Sequence, residues 1–299
     1  MANDNIDLFI NPTAGRGRAG KRLSRICELA ESLGIVLSVH SSSAVGDLER
    51  QVQHFVLAGG KRLVVAGGDG SIHEAVNGIM TAGGDASLGI IPTGTGNDFA
   101  KAAKITLDWQ QATLDLAGRI KSGVTWRRVD VGVMNERFFA NGAGVGFDAR
   151  VTKIARAYRA PIGDIVYLLA ILRGMIEGIA TPEYRIDADG EERHGPVTLA
   201  NIASGPWVGG MFHIAPDASN NDGHFDLIIA DPVSRFRILR LLPKLIRGEH
   251  LDEPEISHKS VQRVRIHAAE PVPSHLDGEV QPLRQDFDIR VLPNALTIL

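Results

Sequence analysis

Residues 67–79, GGDGSIHEAVNGI, decide how this chain folds. They follow a β-branched run at 62–66, RLVVA, and apolar residues recur at helical spacing from Ile72 onwards. The stretch therefore predicts a strand, a glycine turn and a helix. Glycines let the backbone approach a ligand closely, and the first turn of a helix offers unpaired N–H groups to an anion. The pattern is typical of a phosphate-binding turn that leaves Asp69 to hold a cation or a ribose, although a plain strand-to-helix turn remains the alternative.

Two further turns of this kind occur at predicted strand ends. Residues 92–98, PTGTGND, follow an apolar strand at 87–91, and residues 11–15, NPTAG, follow another at 6–10. Repeated strand, turn and helix units predict a parallel sheet covered on both faces, and ligands of such sheets bind beyond the carboxyl ends of the strands. The three turns should therefore meet at one edge. The missing third glycine of the dinucleotide fingerprint argues against a dehydrogenase.

Together with LDGE at 276–279, these motifs resemble the catalytic domain of diacylglycerol kinases, in the branch of bacterial YegS-like lipid kinases. The superfamily also includes sphingosine kinases and NAD kinases. The resemblance implies ATP and Mg²⁺ as cofactors. It also implies the following nucleotide contacts: Asn11, Pro12, Thr13, Ala14, Gly15, Ser42, Gly68, Asp69, Gly70, Ser71, Ile72, His73, Glu74, Thr95, Asn97 and Asp98.

Some of these polar residues also have simpler interpretations. Ser42 replaces the family's threonine, and a serine at this point is also an ordinary helix N-cap. Asn97 and Asp98 could likewise cap the helix that begins near Phe99. The basic segment at 15–21, GRGRAGK, has the spacing of a Walker A loop up to its lysine, but the next residue is Arg22, where magnesium binding needs Ser or Thr. We interpret it as a basic rim that meets phosphate charge, or else as a solvated helix face.

A second domain is predicted to begin after Trp126. Short alternating strands follow at 184–187, 197–203, 225–230 and 261–267, with one amphipathic helix at 234–247. The expected fold is thus an α/β nucleotide-binding domain, residues 1–126, plus a mainly antiparallel β-sandwich domain, residues 127–299. The last strand, about 287–299, either closes the sandwich or returns to the first domain. The glycine-rich segment 142–148 is read either as a bulged turn into a helix at 162–179 or as a ligand contact.

A polar turn at 215–226, APDASNNDGHFD, combines carboxylate and amide oxygens, which suit a hard cation. By resemblance it implies a structural magnesium at Ser219, Asp222 and His224, with His224 contributing its carbonyl. An Asn-Asp-Gly hairpin without metal is the alternative.

The turn at 276–279 carries two carboxylates around a glycine, Asp277 and Glu279. Such groups can converge on one point and accept a proton from a hydroxyl, although a solvated acidic turn looks similar. The resemblance favours Glu279 as the catalytic base, with Asp277 orienting it or a metal-bound water. The sequence alone does not order the two.

Composition limits the function. A hydrophobic content of 44% suffices for a core, and a formal net charge of -3 argues against nucleic acid as partner. A single cysteine, Cys27, suits a reducing cytoplasm. The longest apolar stretch, 162–180, contains three charged residues, so membrane contact is expected to be peripheral, at the inner face and through residues 167–179. The sequence leaves open whether the chain also forms a homodimer.

The resulting hypothesis is a lipid kinase that transfers the γ-phosphoryl group of ATP to a hydroxyl of a membrane lipid, such as a diacylglycerol or a phosphatidylglycerol. Phosphoryl transfer relies mainly on positioning and charge neutralisation, which turns, metal and base can supply. Two rivals remain. One is an NAD kinase, which shares the GGDG turn, and the other is a nucleotide-binding regulator without catalysis.

Overall fold

A computed structural model describes residues 4–123, 127–158 and 165–299. The chain divides into two compact units: unit 1 comprises residues 1–130 and 294–299, and unit 2 comprises residues 131–293. Trp126, after which the second domain is predicted to begin, lies outside the described residues, as do positions 162–164 of the predicted helix. Among the described helices, none is both long and apolar enough to cross a membrane.

Unit 1 alternates strands and helices. Its elements are β1 (Asp4–Ile10), α1 (Ala14–Ser32), β2 (Ile35–Ser41), α2 (Asp47–Leu57), β3 (Arg62–Gly67), α3 (Asp69–Thr81), β4 (Ser87–Pro92), α4 (Asp98–Ala102) and α5 (Trp109–Ser122). The sheet is parallel, in the order β2, β1, β3, β4, and residues 297–298 add a further parallel strand beside β4. The parallel α/β arrangement predicted from the three turns is confirmed.

Helices cover both faces of this sheet because successive strand residues point in opposite directions. On one face, Leu8 packs into a cluster with Ile26 of α1 and Leu116 of α5. On the other face, the Phe9 ring stands edge-on to Phe55 of α2, with ring centroids 5.5 Å apart. Since the central strands β3 and β4 are buried on both sides, they read as continuous apolar runs.

Unit 2 is mainly antiparallel. Its elements are β5 (Arg127–Met134), which begins in unit 1, β6 (Arg137–Phe139), β7 (Gly142–Gly146), α6 (Phe147–Ala157), α7 (Ile165–Glu177), β8 (Glu183–Ala188), β9 (Glu191–Pro196), β10 (Leu199–Ala203), β11 (Phe225–Ala230), α8 (Arg235–Arg247), β12 (Ile256–Val261), β13 (Arg263–Leu276) and β14 (Glu279–Ile298), which ends in unit 1. Strands β12, β11, β10, β7 and β13 pair in that order, all antiparallel.

Strand β13 organises unit 2. Its first half pairs with β8, its last three residues pair with β7, and β14 accompanies it along most of its length. The register shifts between His267 and Ser274, where Pro271 and Pro273 withhold the donors that a regular ladder needs. The strand therefore changes its partner from β8 to β7 midway. It ends at Leu276, directly before the turn at 277–278.

Two sequence predictions in unit 2 are wrong. The segment 142–148 is no bulged turn into a helix at 162–179, because residues 142–146 form β7 between β10 and β13 and a separate helix, α6, follows. The predicted strand at 261–267 is in fact the end of β12 and the start of β13. Both errors arise where one segment contributes to two elements, which periodicity does not resolve.

Candidate active site

The turn at 11–15 follows β1 and is closed by its own polar groups. Thr13 donates through its hydroxyl and its backbone N–H to Oδ1 of Asn11, at 2.7 and 3.0 Å. Gly15 has a φ of 58°, and a Cβ built there would lie 2.2 Å from the carbonyl oxygen of Thr93. Only glycine fits this approach, which brings the first turn against the start of the turn that follows β4.

The turns after β3 and β4 touch through their glycines. A Cβ on Gly94 would lie 2.5 Å from Cα of Gly68, and one on Gly68 would lie 2.8 Å from Cα of Gly94. The Asn97 side chain closes the turn after β4, because its Oδ1 accepts a hydrogen bond from the Gly94 N–H at 3.1 Å. Asn97 is the N-cap residue of α4, but its side chain forms no capping hydrogen bond there.

Two side chains tie these turns to their neighbours. Asp69 accepts at Oδ1 from the backbone N–H of Phe99, at 3.2 Å, and so supplies the acceptor that α4 lacks at its own N-terminus. Arg18 of α1 donates to the carbonyl of Gly94 at 3.0 Å and to the hydroxyl of Thr95 at 2.8 Å. Arg18, one residue of the predicted basic rim, therefore links the turn after β1 to the turn after β4.

This edge of unit 1 has the features of an anion site. The 13-residue helix α3 begins at Asp69, so its N-terminal dipole points at the glycine turns. The hydroxyl of Thr93 is buried, and it has no hydrogen-bond partner among the described residues. Ser42 follows β2 at the same edge, where its N–H donates to Ile10. Since α2 begins at Asp47 with Gly46 as its N-cap, the reading of Ser42 as a helix cap is wrong.

Two predicted contacts, Ile72 and His73, can serve a ligand only through their backbone. The side chains of Ile72 and His73 are buried in the helix packing, and His73 bonds to Asn77. The Glu74 carboxylate accepts from the N–H of Glu49 at 3.3 Å and thus joins α3 to α2.

In unit 2, the carboxylates of Asp277 and Glu279 diverge instead of converging. Asp277 and Gly278 form the two-residue turn between β13 and β14, with φ values of 50° and 81°. The Asp277 carboxylate accepts from the N–H groups of Ala140, Asn141 and Gly142, at 3.0, 2.8 and 3.1 Å. A carboxylate that accepts three hydrogen bonds is an anchor and a poor proton acceptor.

Glu279 faces the other way. Its Oε2 forms an ion pair with Arg156 of α6, and Arg156 also donates to the carbonyl of Gly278 at 3.1 Å. The expectation that both carboxylates meet at one point is therefore corrected: the turn separates an anchored carboxylate from one that retains an oxygen for another partner.

Behind this turn lies a buried polar cluster that the sequence did not reveal. His275 Nε2 lies 3.2 Å from Oδ2 of Asp148, and Asn201 donates to the same oxygen at 2.8 Å. Burial would raise the pKa of Asp148, but the neighbouring His275 and the hydrogen bond from Asn201 hold that pKa below its ordinary value. The Gly278 N–H contacts Nδ1 of His275 at 3.3 Å, so the cluster supports the turn.

Asp148 also borders an apolar cavity of about 130 Å³ inside unit 2. Helices α6, α7 and α8 wall it with aliphatic and aromatic side chains, among them Val151, Ile171 and Leu242. A dry cavity of comparable size, about 150 Å³, is enough for a benzene-sized apolar group. The signal for Asp148 was present in the sequence, since it ends the glycine-rich segment 142–148, but nothing there indicated the cavity.

The predicted metal residues lie in the loop that leads into β11. Asp222 Oδ1 accepts from the His224 N–H at 3.0 Å, and the Ser219 hydroxyl contacts Asn221 at 2.8 Å. Burial and the carboxylates of Asp222 and Asp217 raise the pKa of Asp226. Because this loop spans residues 204–224 between β10 and β11, the alternative of a tight hairpin is wrong. The described residues contain no cluster of three His, Cys, Asp or Glu side chains suited to a metal.

Comparisons with known proteins agree with this architecture. Residues 5–132 match the diacylglycerol kinase catalytic domain, and residues 141–299 match the YegS C-terminal NAD kinase beta sandwich-like domain. The chain is 32% identical to a diacylglycerol kinase of Bacillus subtilis (strain 168), covering 91% of this chain and 88% of the relative. It is 31% identical to one of Mycobacterium tuberculosis (strain ATCC 25618 / H37Rv), covering 98% and 94%.

A solved structure of a diacylglycerol kinase from Bacillus anthracis str. Sterne has the same fold, with a TM-score of 0.73, 21% identity and coverage of 99% of this chain and 96% of that one. The glycine turns of unit 1, the carboxylates of unit 2 and two matched family domains that together span nearly the whole chain lead to one assignment. The chain belongs to the diacylglycerol kinase catalytic-domain family, in its branch of bacterial YegS-like lipid kinases.

Proposed function

We propose that this lipid kinase phosphorylates the free hydroxyl of a diacylglycerol at the expense of ATP. The observation that carries the proposal is the apolar cavity of unit 2. Asp148 borders this cavity and also contacts His275, which belongs to the strand end that carries the 277–279 turn. A substrate with part of an acyl chain in the cavity and a polar headgroup near Asp148 therefore fits this unit. The names of the related kinases support the choice of diacylglycerol.

The glycine turns of unit 1 are the proposed nucleotide site. The fit rests on the packed pair Gly68 and Gly94, on the N-terminus of α3 and on the unpaired hydroxyl of Thr93. Backbone N–H groups and a helix dipole stabilise phosphate charge without a basic side chain at the centre. The buried side chains of Ile72 and His73 would then shape the helix, while Thr95, Asn97 and Ser42 remain at its rim.

Glu279 is the proposed general base. Its Oε1 makes no hydrogen bond to any described residue, so it is free to accept the proton of a substrate hydroxyl as phosphoryl transfer proceeds. Arg156 holds the other oxygen and fixes the direction of the carboxylate. Asp277 acts through the backbone, because its three hydrogen bonds fix the turn on which Glu279 stands.

Magnesium is the proposed metal. The loop at 217–226 carries the carboxylates of Asp217 and Asp222, whose charges help to raise the pKa of Asp226, and oxygen donors of this kind suit a hard cation. Ser219, Asp222 and His224 would hold a structural ion there, and Asp69 would serve the ion that accompanies the nucleotide. Magnesium supplies charge neutralisation of the phosphates during the transfer.

A lipid panel tests the proposal. The full chain is incubated with labelled ATP and dioleoylglycerol, phosphatidylglycerol, sphingosine, free glycerol or NAD. We expect labelled phosphatidic acid from dioleoylglycerol and negligible product from glycerol or NAD. Ile238→Phe, which adds a ring beside the cavity, should raise KM for dioleoylglycerol more than for dibutyrylglycerol, whose short chains need less room. Equal turnover of glycerol and dioleoylglycerol, or label on NAD alone, would contradict the assignment.

A further inference from the structure

Helix α8 has an unusual outer surface, which we call the α8 outer face. It consists of Arg235, Phe236, Leu239, Arg240, Pro243 and Ile246, all of which are exposed. The face is continuous because these positions lie one helical turn apart or next to each other. The exposed fractions of Phe236, Leu239 and Ile246 are 79%, 44% and 36%.

These apolar residues are not needed for the packing of the helix. Ile238, Leu241 and Leu242, on the opposite side of α8, are buried, and Ile238 and Leu242 belong to the cluster that walls the apolar cavity. The helix thus has one apolar side for the core and a second apolar side that faces solvent. Leaving a phenylalanine nearly fully exposed has a solvation cost, which an apolar partner would remove.

The charged residues of α8 itself are all positive. Helix α8 contains four arginines and one lysine and no acidic residue. Arg237 and Lys244 pair with Glu253, and Arg247 pairs with Glu249. Arg235 and Arg240 belong to the outer face, and neither forms an ion pair with any described carboxylate.

We propose that the α8 outer face docks on an anionic lipid surface, with Phe236, Leu239 and Ile246 inserted among the acyl chains and Arg235 and Arg240 at the phosphate headgroups. The combination of an apolar stripe with unpaired arginines is complementary to such a surface. This proposal deepens the proposed function, because a kinase of a bilayer lipid must reach it from the aqueous side.

Helix α8 carries the proposed docking face and also lines the cavity. Ile238, Leu241, Leu242 and Leu245 of the same helix line the cavity proposed for the acyl chain. Helix α7, which also lines the cavity through Tyr167 and Ile171, exposes Leu169 and Ile176. The sequence assigned membrane contact to residues 167–179, whereas the structure shows that Tyr167 and Ile171 face the cavity.

Vesicle sedimentation without ATP tests the docking separately from catalysis. The full chain is mixed with vesicles of phosphatidylglycerol and phosphatidylcholine in equal parts, or of phosphatidylcholine alone. Three variants are compared: Phe236→Ser with Leu239→Ser, Arg235→Gln with Arg240→Gln, and a control, Leu57→Ser with Arg62→Gln, which removes an exposed leucine and arginine from unit 1. Thermal melts confirm that each variant is folded.

We expect the parent and the control to sediment with the anionic vesicles and much less with neutral ones. Loss of the two arginines should weaken binding about 25-fold, as each is worth about fivefold near an anionic surface. Loss of the two apolar residues should weaken it about tenfold or more on either vesicle. Turnover of dibutyrylglycerol in solution should stay at the parental value in both variants.

Other outcomes overturn the docking. Parental sedimentation of both face variants would do so, as would equal binding of the parent to neutral and anionic vesicles. The parent could also fail to bind either vesicle and form a dimer that Phe236→Ser dissociates. The α8 outer face would then be an interface between two copies of the chain. A parent that binds vesicles through this face but phosphorylates no lipid would refute the proposed function and leave the docking in place.

Discussion

Asp277 and Glu279 differ in what surrounds them more than in their chemistry. Three backbone N–H groups already occupy the Asp277 carboxylate, whereas Glu279 has one arginine partner. Asp277 is therefore a structural group, and Glu279 is the carboxylate that we propose as the reactive one. This division could not be derived from the sequence, because the donors come from residues 140–142, more than 130 positions away.

Neutral isosteres should separate the two roles. Glu279→Gln keeps the shape but loses basicity, so we expect kcat to fall by about 10²–10⁴-fold, with ATP affinity and melting temperature near parental values. Asp277→Asn replaces one acceptor oxygen with an NH₂ group that faces a backbone donor. This change should lower the free energy of unfolding by about 1–3 kcal/mol.

Steady-state kinetics, nucleotide titration and thermal denaturation of both variants provide the measurements. Ser219→Ala, in a different loop, serves as a control for general damage from a polar deletion. If Glu279→Gln turns over dioleoylglycerol at the parental rate, the base lies elsewhere. If Asp277→Asn melts like the parent, the anchor role is wrong.

At the scale of elements, the turns after β3 and β4 act as one unit because Gly68 and Gly94 are in contact. Gly94→Ala places a Cβ about 2.5 Å from both Asn97 Oδ1 and Gly68 Cα, so the two turns must separate. Overpacking of this kind typically costs about 1–3 kcal/mol, and we expect ATP affinity to fall at least about tenfold.

Gly118→Ala is the matched control. Gly118 lies within α5, and a Cβ there meets nothing within 4 Å, so the change should be neutral or should stabilise the helix by about 0.5–1 kcal/mol. Fluorescent ATP-analogue binding and thermal melts compare the two. Parental nucleotide affinity in a folded Gly94→Ala variant would show that the paired turns do not hold the phosphates.

How far the sequence predicts the elements depends on the range of the interactions. Strand, turn and helix around 67–79 were predictable, because apolar periodicity and glycines act locally. Strand β9, Glu191–Pro196, was missed because it is polar and its backbone pairing, with β8, is not visible in its own sequence. The cavity bordered by Asp148 was missed for a related reason: three helices that are separate in sequence create it.

For the whole molecule, thermal unfolding should report the proposed structural magnesium. A ligand that binds only the folded state adds stability, by about 2.7 kcal/mol when it is present at 100 times its Kd. We therefore expect MgCl₂ to raise the melting temperature in the absence of ATP. Asp222→Ala should abolish this increase, because it removes the one carboxylate among the three proposed ligands.

Differential scanning calorimetry across a magnesium titration makes this measurement, with NaCl at matched ionic strength as the salt control. Asp252→Ala removes an exposed carboxylate outside the loop and should retain the parental response. An equal magnesium effect in Asp222→Ala and in the parent would leave residues 215–226 as a loop without a metal.

The return of residues 294–299 to unit 1 has a consequence for how the chain is made. Thr297 pairs with Ser87, and the Asn294 N–H bonds to Asp130, 164 positions earlier. During synthesis, residues 4–130 therefore leave the ribosome with one side of β4 open, because the residues that pair there are translated only after Asn294, 164 positions after Asp130. Such distant pairings fold slowly, and an open edge invites association with other chains. A fragment cut at residue 132, where the match to the catalytic domain ends, would keep this edge open permanently.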